Sequence, residues 1–303
     1  MALFLVVITI AFNAFSSSNK LVEADTNRVM ASQNVQGALD ILAADVRQAG
    51  ENLELDLGIS GITFDNSAQT LTVRRSIPAN VVTGVQLQRL PLCSASGTTF
   101  QVSGPPPGAT TPANASCASG PSEVNVGPWR DYFAAQNNQP QAALLYRPKS
   151  GSTPSLIVRT TVSAIQDTTG TGSTRRTNLT LGSSVPGSFT ATNGSQILLI
   201  DERRYFLDAA TSELRLALGG QPDAEAQAVA YAVTGLTLSA TLANPEATIT
   251  SMSLTGPWRR IKQVSFNLTA NNAGQGRGGS RSFQATVFPR NVETARSAAT
   301  GAP

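Results

Sequence analysis

The first 50 residues limit the fold more than any other part of the chain. Residues 1–15 read MALFLVVITIAFNAF, with Thr9 and Asn13 as the only strongly polar side chains. No charged residue occurs before Lys20, and residues 21–49 contain no proline and only one glycine, Gly37. This pattern predicts one continuous helix of about 50 residues, roughly 75 Å long. Gly50 supplies the stop.

The second half of this predicted helix is amphipathic. Apolar residues recur at spacings of four, three, four and three, which is the pattern of one apolar helix face. We expect this face to pack against a globular head through Val35, Leu39, Leu42, Val46 and Ala49.

The apolar run in residues 1–15 has three interpretations. A signal peptide would need a basic region before the apolar one, which this run lacks. A buried core helix is the second interpretation. The third is the later part of a longer membrane segment, because a spanning helix needs about 20 apolar residues. The amphipathic continuation favours the third.

The composition removes many kinds of active site. The 303 residues include no histidine, so the usual general base, the usual zinc ligand and every Ser-His or Cys-His nucleophile are excluded. Two carboxylates suffice for glycoside hydrolysis, but no spacing favours a pair. Charged residues make up 14% and aromatic residues 6%, which is typical of a β-rich, surface-facing protein. We therefore expect no enzyme, no cofactor and no metal.

The chain has two cysteines, Cys93 and Cys117, separated by a segment rich in Gly, Pro, Ser and Thr. A disulfide between them would close a loop that lacks its own core, and would stabilise it by roughly 3 kcal/mol. The alternative is a reactive or metal-binding pair, but a metal would need other ligands in a chain without histidine. A disulfide indicates an oxidising compartment.

After Gly50 the helical period disappears, and short segments alternate with turns as in antiparallel β domains. Val264, Phe266, Leu268 and Ala270 alternate with polar residues, which predicts a strand with one buried face. Residues 104–140 read as mostly irregular. The predicted fold class is α+β, with a long N-terminal helix packed on an antiparallel β-sheet domain. We expect a helix at 1–50, a β-rich head at 51–292 and a disordered tail at 293–303.

Two parts of the chain resemble a known family. The helix end QNVQGALDILAADVRQAG (residues 33–50), and in it Asp45-Val46-Arg47-Gln48-Ala49-Gly50, is similar to the helix end of PilW-type minor pilins. Residues 205–216 read YFLDAATSELRL, and Pro289-Arg290-Asn291 stands where the family often has an aliphatic residue, Arg and Asn. The resemblance covers about residues 1–50 and 195–291.

The chain departs from the family at its start. A prepilin opens with a short basic leader, a cleavage site and a Glu at the fifth mature position, and none of these is present. Met1 aligns about nine or ten residues into the mature protein. The comparison predicts a start assigned too late or a truncated chain.

The resemblance implies a minor pilin-like structural subunit of a type IV pilus, or a pseudopilin of a type II secretion-like filament. Such a subunit would support the filament initiation or tip complex, with DNA uptake (competence), motility and cell adhesion left open as roles. Its partners would be other major and minor pilins, and the inner membrane before assembly. It would lie in the bacterial inner membrane with a periplasmic head, and then in the pilus at the cell surface. The alternative is a membrane-anchored extracellular adhesin or ligand-binding β domain outside a filament.

In this interpretation the apolar run forms the membrane helix and later the filament core. The residues that would contact lipid and then partner helices are Leu3, Phe4, Leu5, Val6, Val7, Ile8, Ile10, Phe12 and Phe15.

A basic cluster near the C-terminus suggests one further partner. Trp258, Arg259, Arg260 and Lys262 combine an aromatic ring with cations, which is a way to hold a nucleic-acid backbone, so DNA is a weakly supported candidate. The alternative is ordinary edge-strand charge that discourages aggregation.

Overall fold

A computed structural model describes residues 2–53, 58–77, 89–102, 126–168, 176–271 and 280–292. Two α-helices occur in these ranges. Helix α1 covers Ala2–Gln48 and is 47 residues long, and helix α2 covers Gly127–Ala135. Short 3-10 turns lie at Ala191–Asn193, Asp223–Glu225 and Trp258–Arg260.

The strands of the described ranges follow in chain order. They are β1 (Ile62–Asp65), β2 (Thr70–Ser76), β3 (Leu90–Pro91), β4 (Ser94–Ser96), β5 (Thr99–Val102), β6 (Gln141–Arg147), β7 (Leu156–Asp167), β8 (Thr177–Leu181), β9 (Gln196–Asp208), β10 (Glu213–Leu218), β11 (Gln227–Tyr231), β12 (Val233–Leu242), β13 (Ala247–Ile249), β14 (Ser251–Met252), β15 (Ile261–Asn271) and β16 (Ser280–Val287).

Within the described residues these strands form two antiparallel sheets. The larger sheet has twelve strands, nine of them in the order β14-β1-β2-β9-β6-β7-β8-β5-β4. Strands β3 and β10 also pair with β9, and β11 pairs with β10. The smaller sheet has four strands in the order β13-β12-β15-β16. Strand β9 is the centre of the larger sheet, because its 13 residues pair with β2, β3, β6 and β10.

The main core lies between helix α1, the smaller sheet and part of the larger sheet. Apolar residues of β15 and its partner β12 alternate in and out, so Val264, Phe266, Leu268 and Ala270 are buried, as the period of two predicts. Helix α1 contacts β16 and β15 of the smaller sheet and β11 and β2 of the larger. The last third of the helix therefore lies between the two sheets. A second core forms under α2.

The predicted fold class is wrong. We expected an α+β protein in which a long helix packs on one antiparallel sheet domain, but most residues in regular structure lie in strands, and two large sheets build the body. Among the described side chains, those of helix α1 enter the core from Val35 onward, and the described large apolar ones before it are exposed. The prediction did not foresee how the strands in the middle of the chain are joined. They pair with strands far away in the sequence and form one continuous twelve-stranded sheet.

The predicted localisation is also wrong. We expected an inner-membrane helix with a periplasmic head, followed by transfer to the pilus and cell surface. In the part of the chain that the structure describes, no helix combines the length and the apolar character that crossing a membrane requires. Four polar residues, Ser16, Ser17, Ser18 and Asn19, follow the apolar run within this helix.

Residues 104–140, expected to be mostly irregular, contain helix α2. Pro128 stands in its first turn, where a missing N–H costs nothing, and Trp129 and Phe133 are four apart and buried. The spacing of these two aromatic residues was the feature of the sequence that could have predicted helix α2. The predicted tail at 293–303 lies outside the described residues.

Candidate functional site: helix α1 and its junction with the sheets

The predicted packing face of helix α1 is buried. Val35, Leu39, Leu42, Val46 and Ala49 are all at most 2% exposed. They belong to one core cluster with residues from both sheets. Burying a Leu or Val side chain stabilises a fold by about 1.5–3 kcal/mol. This face therefore holds the end of the helix in a fixed position on the body.

A polar contact fixes the rotation of the helix within this apolar surface. Asp45 is only 5% exposed and points at β9. Arg203 Nη1 donates to Asp45 Oδ1 at 2.7 Å, and the Tyr205 hydroxyl donates to Asp45 Oδ2. Each oxygen of the carboxylate thus has its own donor, which is what a buried charge requires.

Burial and charge change the acid–base behaviour of the two donors. Burial, and next the Asp45 carboxylate, raise the pKa of Tyr205 well above its ordinary value of 10.0. For Arg203 burial alone would lower the pKa, but attraction to Asp45 outweighs it and the net pKa is raised. At neutral pH the contact is therefore a phenol and a guanidinium facing a carboxylate.

Strands β2 and β9 carry further ion pairs beside this contact. Arg75 Nε donates to Asp201 Oδ2 at 2.6 Å, and Arg75 Nη1 donates to the side chain of Gln48 in the last turn of α1. On the other face of the same strands, Arg74 Nε lies 2.7 Å from Glu202 Oε2.

Glu202 is 2% exposed, and it also accepts from Arg159 of β7 at 2.8 Å. The alternation of β9 therefore places ion pairs on both faces of the larger sheet.

The helix ends at a close approach of backbone and aromatic ring. Gly50 has φ +77°, the left-handed conformation that favours glycine after a helix. A Cβ at Gly50 would lie 2.6 Å from Cζ2 of Trp258. A Cβ at Gly61 would lie 2.6 Å from the Gly50 nitrogen. Only glycine at both positions lets the indole of Trp258 cover the helix end.

The C-terminal segment satisfies the last carbonyls of the helix. Arg290 N donates to the Arg47 carbonyl at 3.2 Å, and Asn291 Nδ2 donates to the Ala49 carbonyl at 3.0 Å. Helix ends leave such carbonyls without partners, so this segment acts as a C-cap supplied from more than 240 residues away.

The first part of helix α1 has the opposite environment. Its described large apolar side chains are between 48% and 70% exposed: Phe4, Ile8, Phe12, Phe15, Val22, Val29 and Met30. At about 100° per residue, all seven fall within an arc of about 100° on one side of the helix. The buried face that begins at Val35 is centred about 180° away from this arc. We call these seven residues the outer stripe.

Four members of the outer stripe, Ile8, Phe15, Val22 and Val29, are seven residues apart. A repeat of seven keeps one helix face toward a partner helix. Among the predicted filament-core residues, Phe4, Ile8, Phe12 and Phe15 are therefore exposed on one side. The side chains of Leu3, Leu5, Val6, Val7 and Ile10 lie outside the described ones.

The candidate DNA contacts are not arranged as an open cluster. Trp258 is 6% exposed and its ring lies against Gly50, so it cannot stack on a base. Arg260 donates to the carbonyls of Ala243 and Pro245, and Lys262 lies 3.1 Å from Glu246 Oε1. Arg259 is exposed. The ring of this cluster is therefore buried, and Arg260 and Lys262 have partners within the body.

The predicted disulfide falls partly outside the described residues. Cys93, next to β4, is disulfide-bonded. Cys117 lies in residues 103–125, outside the described ranges. Within those ranges, no three or more carboxylate, thiol or imidazole groups are placed to hold a metal ion.

The sequence did not indicate the partners of the helix end, although three of them lie in the segments that carry the family resemblance. Tyr205, Arg290 and Asn291 belong to the segments that carry the family resemblance, and in the structure they contact Asp45, Arg47 and Ala49 respectively. Arg203 and Arg75 gave no signal in the sequence, because their partners are far apart in the chain. Comparison of the chain with known families, curated proteins and solved structures found no match.

Proposed function

We propose that this protein is a minor pilin-like structural subunit of a type IV pilus-type filament, and that helix α1 joins it to neighbouring subunits. The observation that carries the proposal is the outer stripe. Seven large apolar side chains face away from the body and are exposed to water. Extended exposed apolar patches mark interaction surfaces, so we expect a partner to cover this one.

The geometry favours helices of other subunits as the cover for the outer stripe. Four of its members repeat every seven residues, the spacing of helix-to-helix packing. The stripe lies on the side of α1 opposite to the body, so a partner helix can approach without meeting either sheet. In a filament the helices would form the centre, and the β-rich bodies would face outward.

The family resemblance gains support from contacts in the body. Its three segments, the helix end at 45–50, the hairpin that starts at Tyr205 and the tripeptide at 289–291, lie far apart in sequence. They meet at the base of helix α1. Motifs that jointly hold the helix at a defined angle suit a protein whose helix must match those of its neighbours.

The decisive experiment is genetic complementation with filaments counted by electron microscopy. Deleting the gene is expected to reduce or abolish surface filaments, and the wild-type gene is expected to restore them. A Phe12→Ser, Phe15→Ser variant should fail to restore them, because serine removes the two most central rings of the outer stripe. The matched control is Tyr231→Ser, which removes an exposed aromatic side chain from the body.

Purified protein provides the second measurement. Wild-type chain and the Tyr231→Ser control should self-associate in light scattering, whereas the double serine variant should be monomeric. Its free energy of unfolding should stay within about 0.5 kcal/mol of the wild-type value, because both rings are exposed. Normal filaments in the deletion strain, or full restoration by the double variant, would refute the proposed function.

A further inference from the structure

A cavity of about 600 Å³ opens between helix α2 with its following turn and the strands β2, β9 and β10. Tyr132 and Gln139 line it from the α2 side, and Arg75, Asp201 and Leu218 line it from the strands. Small-molecule sites typically measure about 300–1,000 Å³. The cavity lies in the body, and none of its lining residues belongs to the outer stripe.

One buried side chain in the wall has a polar atom without a partner. Gln141 is 7% exposed, and its Nε2 donates to the Gln139 carbonyl at 2.8 Å. Its Oε1 accepts no hydrogen bond from any residue that the structure describes. This oxygen is open to the cavity, so it is available to accept a hydrogen bond from a ligand there.

The opposite wall supplies a second group of this kind. The Tyr132 hydroxyl has no hydrogen-bond partner within the described ranges. Burial, and next the Asp201 carboxylate, raise the pKa of Tyr132 to about 12, so the phenol remains a neutral donor at physiological pH. Between the two, Arg75 and Asp201 share one contact, Nε to Oδ2 at 2.6 Å. The second carboxylate oxygen and Arg75 Nη2 are left for another partner.

The charges of the cavity cancel. Arg75 is paired with Asp201, and Arg203 is paired with Asp45, so neither an anion nor a cation is favoured. The free groups alternate in kind: Tyr132 and Arg75 donate, whereas Gln141 and Asp201 accept. Apolar surface lies beside them at Ile77, Pro140 and Leu218. The complementary ligand is neutral, with several groups that both donate and accept, and with some C–H surface.

We propose that this cavity binds a neutral saccharide of one or two sugar units. Sugar hydroxyls donate and accept at once, and their C–H faces pack on small apolar surfaces. A peptide fits less well, because peptide backbone is usually recognised by an open strand edge. In the wall, β2 pairs with β9 up to Ser76 on one side, and on the other side Arg74 N and Ser76 N donate to the carbonyls of Gly61 and Glu51.

The test is saturation-transfer NMR with the full chain and three named sugars: galactose, N-acetylglucosamine and lactose. We expect transfer to at least one sugar. Tyr132→Phe should weaken that binding by about fivefold to tenfold, the effect of one lost hydrogen bond, and it should fold normally because the hydroxyl has no partner in the body. The matched control, Tyr231→Phe, removes a hydroxyl from an exposed tyrosine and should bind like wild type.

A second variant blocks the cavity without touching its polar groups. Leu218→Trp at the rim, 42% exposed in the wild type, should abolish transfer. No transfer to any of the three sugars would overturn the proposal. Transfer that persists unchanged in both Tyr132→Phe and Leu218→Trp would also overturn it, as would transfer to a trialanine probe instead of the sugars. All these readings use isolated protein, so they are independent of filament assembly.

Discussion

The two parts of helix α1 share one backbone conformation and differ in the burial and the polar partners of their side chains. From Val35 onward most apolar side chains are buried between two sheets, with Ile41 left 44% exposed, and Asp45 and Gln48 have partners on β9 and β2. Before Val35 the described large apolar side chains are exposed, on the opposite side of the helix. The same helix thus presents two apolar faces, and the body covers only one.

This difference shows how the two faces are specified. The buried face combines apolar contacts with a carboxylate that has directional donors, so it has one orientation. The outer stripe has four apolar side chains in a repeat of seven, the spacing found where one helix packs along another. One end of the helix therefore has a single packing in the fold, and the other presents an apolar face that the body leaves uncovered.

The largest expected effect comes from removing the carboxylate at the anchored end. Asp45→Ala would leave Arg203 and Tyr205 facing each other without an acceptor, and should lower the free energy of unfolding by about 3 kcal/mol. Urea denaturation measures it. Asp40→Ala is the matched control, because Asp40 is exposed on the same helix and its loss should cost less than about 0.5 kcal/mol. Equal effects at the two positions would show that the anchor is not held by Asp45.

The second comparison uses the two glycines of this segment. Gly50→Ala places a methyl group 2.6 Å from Trp258 at φ +77°, and should destabilise the fold by about 2 kcal/mol. Gly37→Ala meets nothing within 4 Å in a helix interior, and should stabilise it by about 0.5–1 kcal/mol. Thermal unfolding of both variants measures the difference. Unchanged or increased stability of Gly50→Ala would disprove the close approach at Gly50.

The smallest effect is a dependence on alkaline pH. The folded protein keeps Tyr205 protonated because its pKa is raised, whereas the unfolded chain releases that proton near the ordinary value of 10.0. Tyr205 therefore contributes no pH dependence below pH 10. Above it, stability falls by about 1.4 kcal/mol for each pH unit.

Tyr205→Phe should start less stable at pH 8, because it lacks the hydrogen bond to Asp45, and should then lose stability less steeply between pH 10 and 11. Denaturation curves at several pH values give the two slopes. Parallel slopes would mean that Tyr205 ionises equally well in the folded protein.

Local periodicity predicted much of the anchored end. The spacing of Val35, Leu39 and Leu42 is a property of consecutive residues, and so is the alternation in β15. Gly50 was readable as a helix stop for the same reason. The helix α2 was missed because its single i, i+4 aromatic pair lies in a segment rich in turn residues.

Long-range partners gave no such signal. Asp45 and Arg203 are 158 residues apart, and Arg74 and Glu202 are 128 apart. No periodicity links such positions. The cavity under α2 also depends on elements brought together by the larger sheet, so neither Tyr132 nor Gln141 was recognised as a candidate site.

Strand β9 gives the molecule a mechanical property. A pull along α1 enters the body through Asp45 and reaches Arg203 and Tyr205 near the middle of β9. That strand is hydrogen-bonded to β2 and β3 and to β6 and β10, so it cannot slide without shearing several ladders at once. Tension on the helix is thereby shared among the four strands bonded to β9, so the joint between helix and body resists extraction.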